Sequence, residues 1–381
     1  MKSRLKKLLP MAGVISCLSS SLLLAATQYG GNDMSGNCCP APKKTDPCAP
    51  CDEVLDRTRV FAGCDYREIT PCAGPRVACG ADLFITADFI YWTSRMDGLG
   101  YAASGVGSPT LPLVNPPSGS VSHPDFGWDP GFKVGLGYNL GHDCWDVFAE
   151  YTYLRPSASD STSNSTNSLY PMWAADLAVQ TTPVGTARGS WDFDLNVVDL
   201  ELGRNYFISR YLTLRPHFGL KGTWQTNDFS ARYTEAATPT VAHNTSINQD
   251  YWAVGLRTGL DTVWYFNKYF GIFGDFALAA IWGEYDVQRR DTTATTVANV
   301  TTTVTNNNIN NTFNSLKEVF EIVLGLQGDM WFSDDSYHLG VNLGWEMQYW
   351  PNQNQYLRLL EESSHGDLYF MGLTLGVRFD F

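Results

Sequence analysis

The chain has 381 residues, 44% apolar and 13% aromatic, with 34 glycines and a formal charge of −13. This composition excludes a disordered chain. The 26 Lys and Arg against 39 Asp and Glu exclude the basic footprint of a nucleic-acid binder.

The opening "MKSRLKKLLPMAGVISCLSSSLLLAA" has a basic start, an apolar middle and a small-residue end. It reads as a signal peptide over 1–26, cleaved near Ala26 and addressed for export. The lipobox-like "VISC" offers a competing reading with a lipid on Cys17, against which the apolar "LLLAA" continues past the cysteine. No later run of apolar residues is long enough for a transmembrane helix.

Residues 27–81 form a Cys/Pro-rich segment without periodicity, expected in the periplasm. It holds Cys38, Cys39, Cys48, Cys51, Cys64, Cys72 and Cys79, and Cys144 follows further on. In an oxidising compartment this density points first to disulfides. "CAPC" at 48–51 also admits a metal or redox pair, but no second such motif or nearby His completes a zinc set. Cys144 is open to a bridge with the N-terminal segment or to cross-linking between neighbours.

From Asp82 onward, large apolar residues alternate with small or polar ones, the period of a β-strand. "LFITADFIYW", "GFKVGLGYNL" and "WDVFAEYTYL" lead the series. In "WDFDLNVVDLEL" the phase shifts, which suggests a bulge near Val198. "YLTLRPHFGLKGTW", "YWAVGLRTGLDTVWYF" and "YFGIFGDFALAAIW" come next. "FEIVLGLQGDMWF", "YHLGVNLGWEMQYW" and the terminal "LYFMGLTLGVRFDF" bring the count to about ten, with twelve if "SLYPMWAADLAVQ" hides a hairpin rather than a helix.

Short turns at 141–144, 207–210, 267–268 and 333–336 alternate with long loops at 94–129, 155–190, 226–249, 285–315 and 351–366. Such sorting describes an all-β, antiparallel up-and-down transmembrane β-barrel over 82–381, with short periplasmic turns and long extracellular loops. Aromatic residues cluster at strand ends, Trp92, Trp191, Trp224, Trp252 and Trp282 among them on the loop side, as two lipid-interface girdles would require. The last strand must pair with the first, because an open edge in lipid leaves backbone groups unsatisfied.

Several stretches resemble the pore-forming major outer membrane proteins of the Legionella type, especially the MOMP-like proteins of chlamydia-related bacteria. They include "ADFIYWTSRMDGLGYA", "PGFKVGLGYNLGHDCWDVFAEYTYL", "DLELGRNYFISRYLTLRPHFGL", "DMWFSDDSYHLGVNLGWEMQYWPNQNQ" and "GLTLGVRFDF". The resemblance spans the strands and short turns, not the long loops or residues 27–81. It implies the cell outer membrane, porin or adhesin-like surface roles and disulfide-linked neighbours, with no catalytic residues to carry over. Phe381 resembles the terminal aromatic signal read by the outer membrane assembly machinery.

No nucleophile elbow, metalloprotease helix, phosphate loop or dinucleotide fingerprint occurs, so neither a catalytic site nor a metal or cofactor is expected. His142-Asp143 reads as turn chemistry, and His123, His243 and His365 as solvated loop residues. The faces read as inward carry Lys133, Arg215, His217, Lys221, Arg257 and Arg378 against Asp88, Glu150, Asp192, Asp194, Asp261, Asp275, Glu321, Asp329, Glu346 and Asp380. All of these except Asp88, Asp329 and Asp380 are the pore-lining candidates for a narrow polar channel, for which the excess of acidic groups predicts weak cation preference. The alternative is a surface protein or adhesin whose charges pair and close the barrel, since few-stranded barrels fill with side chains. Inward glycines such as Gly135, Gly137, Gly219, Gly325 and Gly344 favour open volume. The uncharged "TTATTVANVTTTVTNNNINNTFN" reads as an adhesive tip or a solvated linker.

Overall fold

The computed structural model describes residues 73–77, 80–106, 118–141, 143–163, 169–173, 179, 183–238, 240–359 and 364–381. The expected signal peptide, residues 27–72 and the seven N-terminal cysteine candidates, Cys79 included, lie outside the described residues.

Alternating side chains build fifteen strands: β1 Leu83–Met96, β2 Ala102–Val106, β3 Ser118–Ser122, β4 Trp128–Asn139, β5 Trp145–Leu154, β6 Ser157–Ser163, β7 Leu169–Pro171, β8 Val184–Arg204, β9 Tyr206–Phe207, β10 Leu212–Glu235, β11 Val241–Tyr265, β12 Phe270–Val297, β13 Val300–Phe332, β14 Tyr337–Tyr356 and β15 Ser364–Asp380. Ten of them close an antiparallel barrel in the order β1, β4, β5, β8, β10, β11, β12, β13, β14, β15 and back to β1. Closure runs from Phe84 opposite Asp380 to Met96 opposite Leu368. Beyond it, the Phe381 amide donates to the Leu83 carbonyl at 3.0 Å. Every edge within the lipid is thereby paired, as a bilayer demands. Among the described residues the barrel has ten strands; Leu169–Pro171 forms β7, which joins β2 and β3 in a small separate sheet, and most of the rest of "SLYPMWAADLAVQ" lies outside the described residues.

The lipid band is marked from outside. Val254, Leu256, Leu260, Phe276, Leu278, Leu324 and Leu326 are exposed apolar side chains on the barrel wall. Above them Trp252 and Trp282 face outward, and below them so do Tyr211, Trp264, Phe266 and Tyr269. These are the two aromatic girdles.

The strands do not stop at the upper girdle. β10, β11, β12 and β13 have 24, 25, 28 and 33 residues, where about 9–11 suffice to cross a membrane. The expected loops 226–249 and 285–315 are therefore largely continuous hairpin arms. The second ends in a two-residue turn, Ala298-Asn299, with φ of 49° and 64°, the left-handed pair that matches strand twist. His243 accordingly lies in β11 rather than in a loop, with Nε2 2.9 Å from Glu235 Oε1 and Nδ1 3.1 Å from Thr293 Oγ1.

No bulge occurs near Val198. Val197 lies opposite Thr223 and Val198 opposite Gly222 without a break in register. What changes at this point is the solvent. Below it Val198, Leu200 and Leu202 face lipid; above it Trp191, Phe193, Leu195 and Val197 face inward, with Asp192 and Asp194 outside.

Candidate functional site: the barrel interior

The interior has two storeys. In the half nearer the short turns, the inward positions carry charge. Lys133 Nζ lies 2.7 Å from Glu346 and 3.8 Å from Glu150. Lys221, only 1% exposed, bridges Asp199 at 2.9 Å and Glu321 at 2.8 Å. Arg257 binds Glu321 at 2.8 Å and also pairs with Glu201. Arg215 reaches Asp146 at 2.6 Å, Glu201 at 2.9 Å and Asp261 at 2.6 Å. His338 stands between Asp329 and Asp380, and Arg378 closes on Asp380 at 2.7 Å. All of these groups but Asp146 and Asp380, with Asp88 and Asp275, surround a cavity of about 300 Å³. Residues 73–75 contribute to its lining, and Arg76 donates to the Leu140 carbonyl at the short-turn end at 2.6 Å.

Glu201, His217 and Asp261 offer ligand atoms within 4.8 Å of one another. The set does not suit a metal ion. One guanidinium nitrogen, Arg215 Nη1, already donates to both carboxylates, and a second cation, Arg257, holds Glu201.

The upper storey is built around an aromatic cluster. Trp92, Trp173, Trp191, Trp350, Phe193, Phe229, Tyr251, Tyr285, Tyr356 and Phe370 are fully or almost fully buried and belong to one cluster. Trp191 stacks on Phe193, Phe193 meets Phe370, and Trp92 meets Phe370. Trp92 also forms the boundary between storeys: its indole N–H donates to Thr374 at 3.2 Å, and the Lys133 ammonium lies 5.3 Å from its ring.

Trp173, which follows β7, packs against Phe229 and Tyr356. Its indole donates to the Gly100 carbonyl at 2.8 Å, its carbonyl accepts from Arg289 at 3.0 Å, and the Arg358 guanidinium lies 4.4 Å from its ring. At the mouth, Gln353 turns inward. It accepts from Tyr285 at 3.0 Å and donates to Gln225 at 2.7 Å, while Gln249 donates to its carbonyl at 2.9 Å.

Of the pore-lining candidates, Lys133, Glu150, Arg215, His217, Lys221, Arg257, Asp261, Asp275, Glu321, Glu346 and Arg378 are brought together inside. Asp192 and Asp194 are not. They point outward above the lipid, where Arg155 meets Asp194 at 2.9 Å, because water there accepts their charge while the apolar neighbours turn in. Trp92 and Trp191 are likewise interior residues rather than girdle residues.

Nor do the inward glycines leave space. A methyl group at Gly137 would strike the Phe84 ring, and one at Gly325 the Phe273 ring. Asp146, Asp199 and Glu201 belong to the charged cluster although the sequence reading omitted them. The alternation in "DLEL" carries the signal for the last two: if Leu200 and Leu202 face lipid, Asp199 and Glu201 must face in. Cys144 is buried at the first short turn.

An antiparallel barrel with a lipid-facing apolar belt defines an outer membrane β-barrel protein. The sequence model described as Legionella pneumophila major outer membrane protein precursor matches residues 77–381, and the chain belongs to that family; its place is the outer membrane. Similar solved structures include the outer membrane protease OmpT from Escherichia coli, at 10% identity, covering 82% of this chain and 99% of that one with a TM-score of 0.38. A major outer membrane protein from Thermus thermophilus is similar at 11% identity, covering 78% and 99% with a TM-score of 0.27. Ail, the attachment invasion locus protein of Yersinia pestis, is similar at 9% identity, covering 79% and 99% with a TM-score of 0.22. No curated protein sequence matches the chain.

Proposed function

We propose that this protein is a surface scaffold: a closed outer membrane barrel that carries a rigid extracellular sheet. The observation that supports this reading is the cluster of fully buried aromatic rings in the upper storey, above the charged cavity. Solute would have to displace several fully buried rings, each such burial contributing roughly 1.5–3 kcal/mol. The ion pairs below favour closure as well, since each base of the cavity already has an acidic partner. Phe381 is in this reading the terminal aromatic that the assembly machinery engages, and the role of the barrel is not enzymatic.

The cavity of about 300 Å³ favours a second reading, passage of small solutes through a narrow polar lumen. Acidic side chains outnumber basic ones around it, so such a path would prefer cations. Osmotic swelling of vesicles containing the purified chain separates the two. The scaffold reading expects swelling in arabinose no faster than in protein-free vesicles. Arabinose entry that scales with protein content would establish the channel instead.

A further inference from the structure

Two arginines stand on the outer face of the sheet above the lipid without an acidic partner. Arg188 in β8 lies directly opposite Arg232 in β10. Both side chains are exposed, while their neighbours Ala187, Ala231 and Tyr233 face inward. Neither arginine forms an ion pair among the described residues. Like charges directly opposite each other, about 4.5–5.5 Å apart at Cβ, destabilise a ladder. Around the pair on this face stand Ser161, Thr186, Ser190, Ser230, Thr234 and Asn244, all uncharged. The nearby carboxylates Asp160 and Glu235 are engaged elsewhere, by the Tyr101 hydroxyl at 2.8 Å and by His243 at 2.9 Å. Asp192 and Asp228 lie four positions further down their strands, on the order of 13 Å away. That exceeds the screening length of about 8 Å at physiological salt.

Arg290 of β12 continues the basic row. It faces outward opposite Ser246, which lies opposite Ser230, one step below Arg232 on the same face. From β8 to β12 the three arginines span three strand spacings, roughly 14 Å at about 4.8 Å each.

We propose that this row is a docking surface for an anionic glycan, bearing sulfate or phosphate esters, that approaches from outside the cell. Charge complementarity carries the choice. Guanidinium groups bind such oxyanions through paired hydrogen bonds, and an anion held between Arg188 and Arg232 relieves their mutual repulsion. The hydroxyl-lined face offers serine and threonine donors and acceptors to the sugar hydroxyls. No aromatic side chain stands among these positions for a nucleic-acid base to stack on.

Height excludes a phospholipid headgroup. Arg232 follows Trp224, which lies opposite the girdle residue Trp252, by eight positions in β10. That is about 26 Å of strand and, at a tilt of about 45°, roughly 18 Å of rise. The headgroup layer is only about 5–8 Å deep. Beneath the pair, Asp192 lies opposite Asp228, and these carboxylates disfavour anionic lipid of the same membrane. The inference rests on the scaffold reading, for which it names what the rigid sheet holds.

Retention of fluorescent dextran sulfate tests it. The full chain is refolded into phosphatidylcholine vesicles, heat-modifiable gel migration confirms insertion of every variant, and bound polymer is read after flotation. Wild-type vesicles should retain dextran sulfate but not uncharged dextran. Vesicles carrying Arg188→Gln with Arg232→Gln should bind it at least ten-fold more weakly. Oligothymidine of matched charge should bind more weakly than dextran sulfate to the wild type. Absence of dextran sulfate from wild-type vesicles, undiminished binding by the Gln variant, or oligothymidine held as tightly would each overturn the proposal. Failure of the closed-lumen reading appears as arabinose entry and leaves the retention unchanged.

Discussion

Lys221 shows how the interior works at the level of one residue. Its ammonium is buried at the centre of the charged storey and compensated on both sides, by Asp199 and Glu321. Burying a charge is costly, and it becomes tolerable only when partners and hydrogen bonds replace water. Lys221→Met leaves two carboxylates with one cation fewer, and we expect a loss of about 3–5 kcal/mol. The measurement is the temperature at which the folded, fast-migrating gel form disappears, which should fall clearly. Asp192→Asn is the counterpart: an outward, solvated residue whose loss should change stability by less than about 0.5 kcal/mol. Equal effects of the two substitutions would contradict the two-storey assignment. In the sequence both positions read as inward, because polarity alone identifies them. Only their height relative to the lipid separates them, and an isolated strand does not state its height.

At the scale of the element, the strands were legible in period and poorly legible in side. Alternation places Phe132, Val134, Leu136 and Tyr138 on the lipid face of β4 and Lys133 inside, as observed. β8 breaks the rule that apolar means outward, since its outer face is apolar in lipid and polar in water. The two regimes meet at Val197-Val198, where adjacent apolar residues mimic a bulge. The hairpin arms of β12 and β13 were obscured for a related reason. Thr and Asn on both faces give no contrast for periodicity to detect, so strand continuation looks like a linker. Replacing residues 293–304 by Asn-Gly, the favoured two-residue turn, should leave the heat-modifiable transition of the barrel unchanged, because the excised arms lie beyond the aromatic girdle. A lowered transition would show that the hairpin supports the barrel rather than being carried by it.

At the scale of the molecule, closure of β15 on β1 was predictable from the physics of an edge in lipid, and so was the sorting of connections to two ends. The contents of the barrel were not. The sequence reading expects a polar lumen throughout, yet the upper storey holds the aromatic core of a sheet structure standing in water. Its rings come from β1, β8, β10, β11, β12, β14 and β15, together with Tyr101 and Trp173. No single segment announces such a core, because each strand supplies only one or two of its rings. The central claim is that this layer closes the path between the cell exterior and the charged cavity. Single-channel recording of the refolded chain in a planar bilayer tests it most directly. The closed barrel predicts a baseline without discrete steps at any applied voltage the membrane withstands. Reproducible unitary openings from the wild-type protein would contradict it.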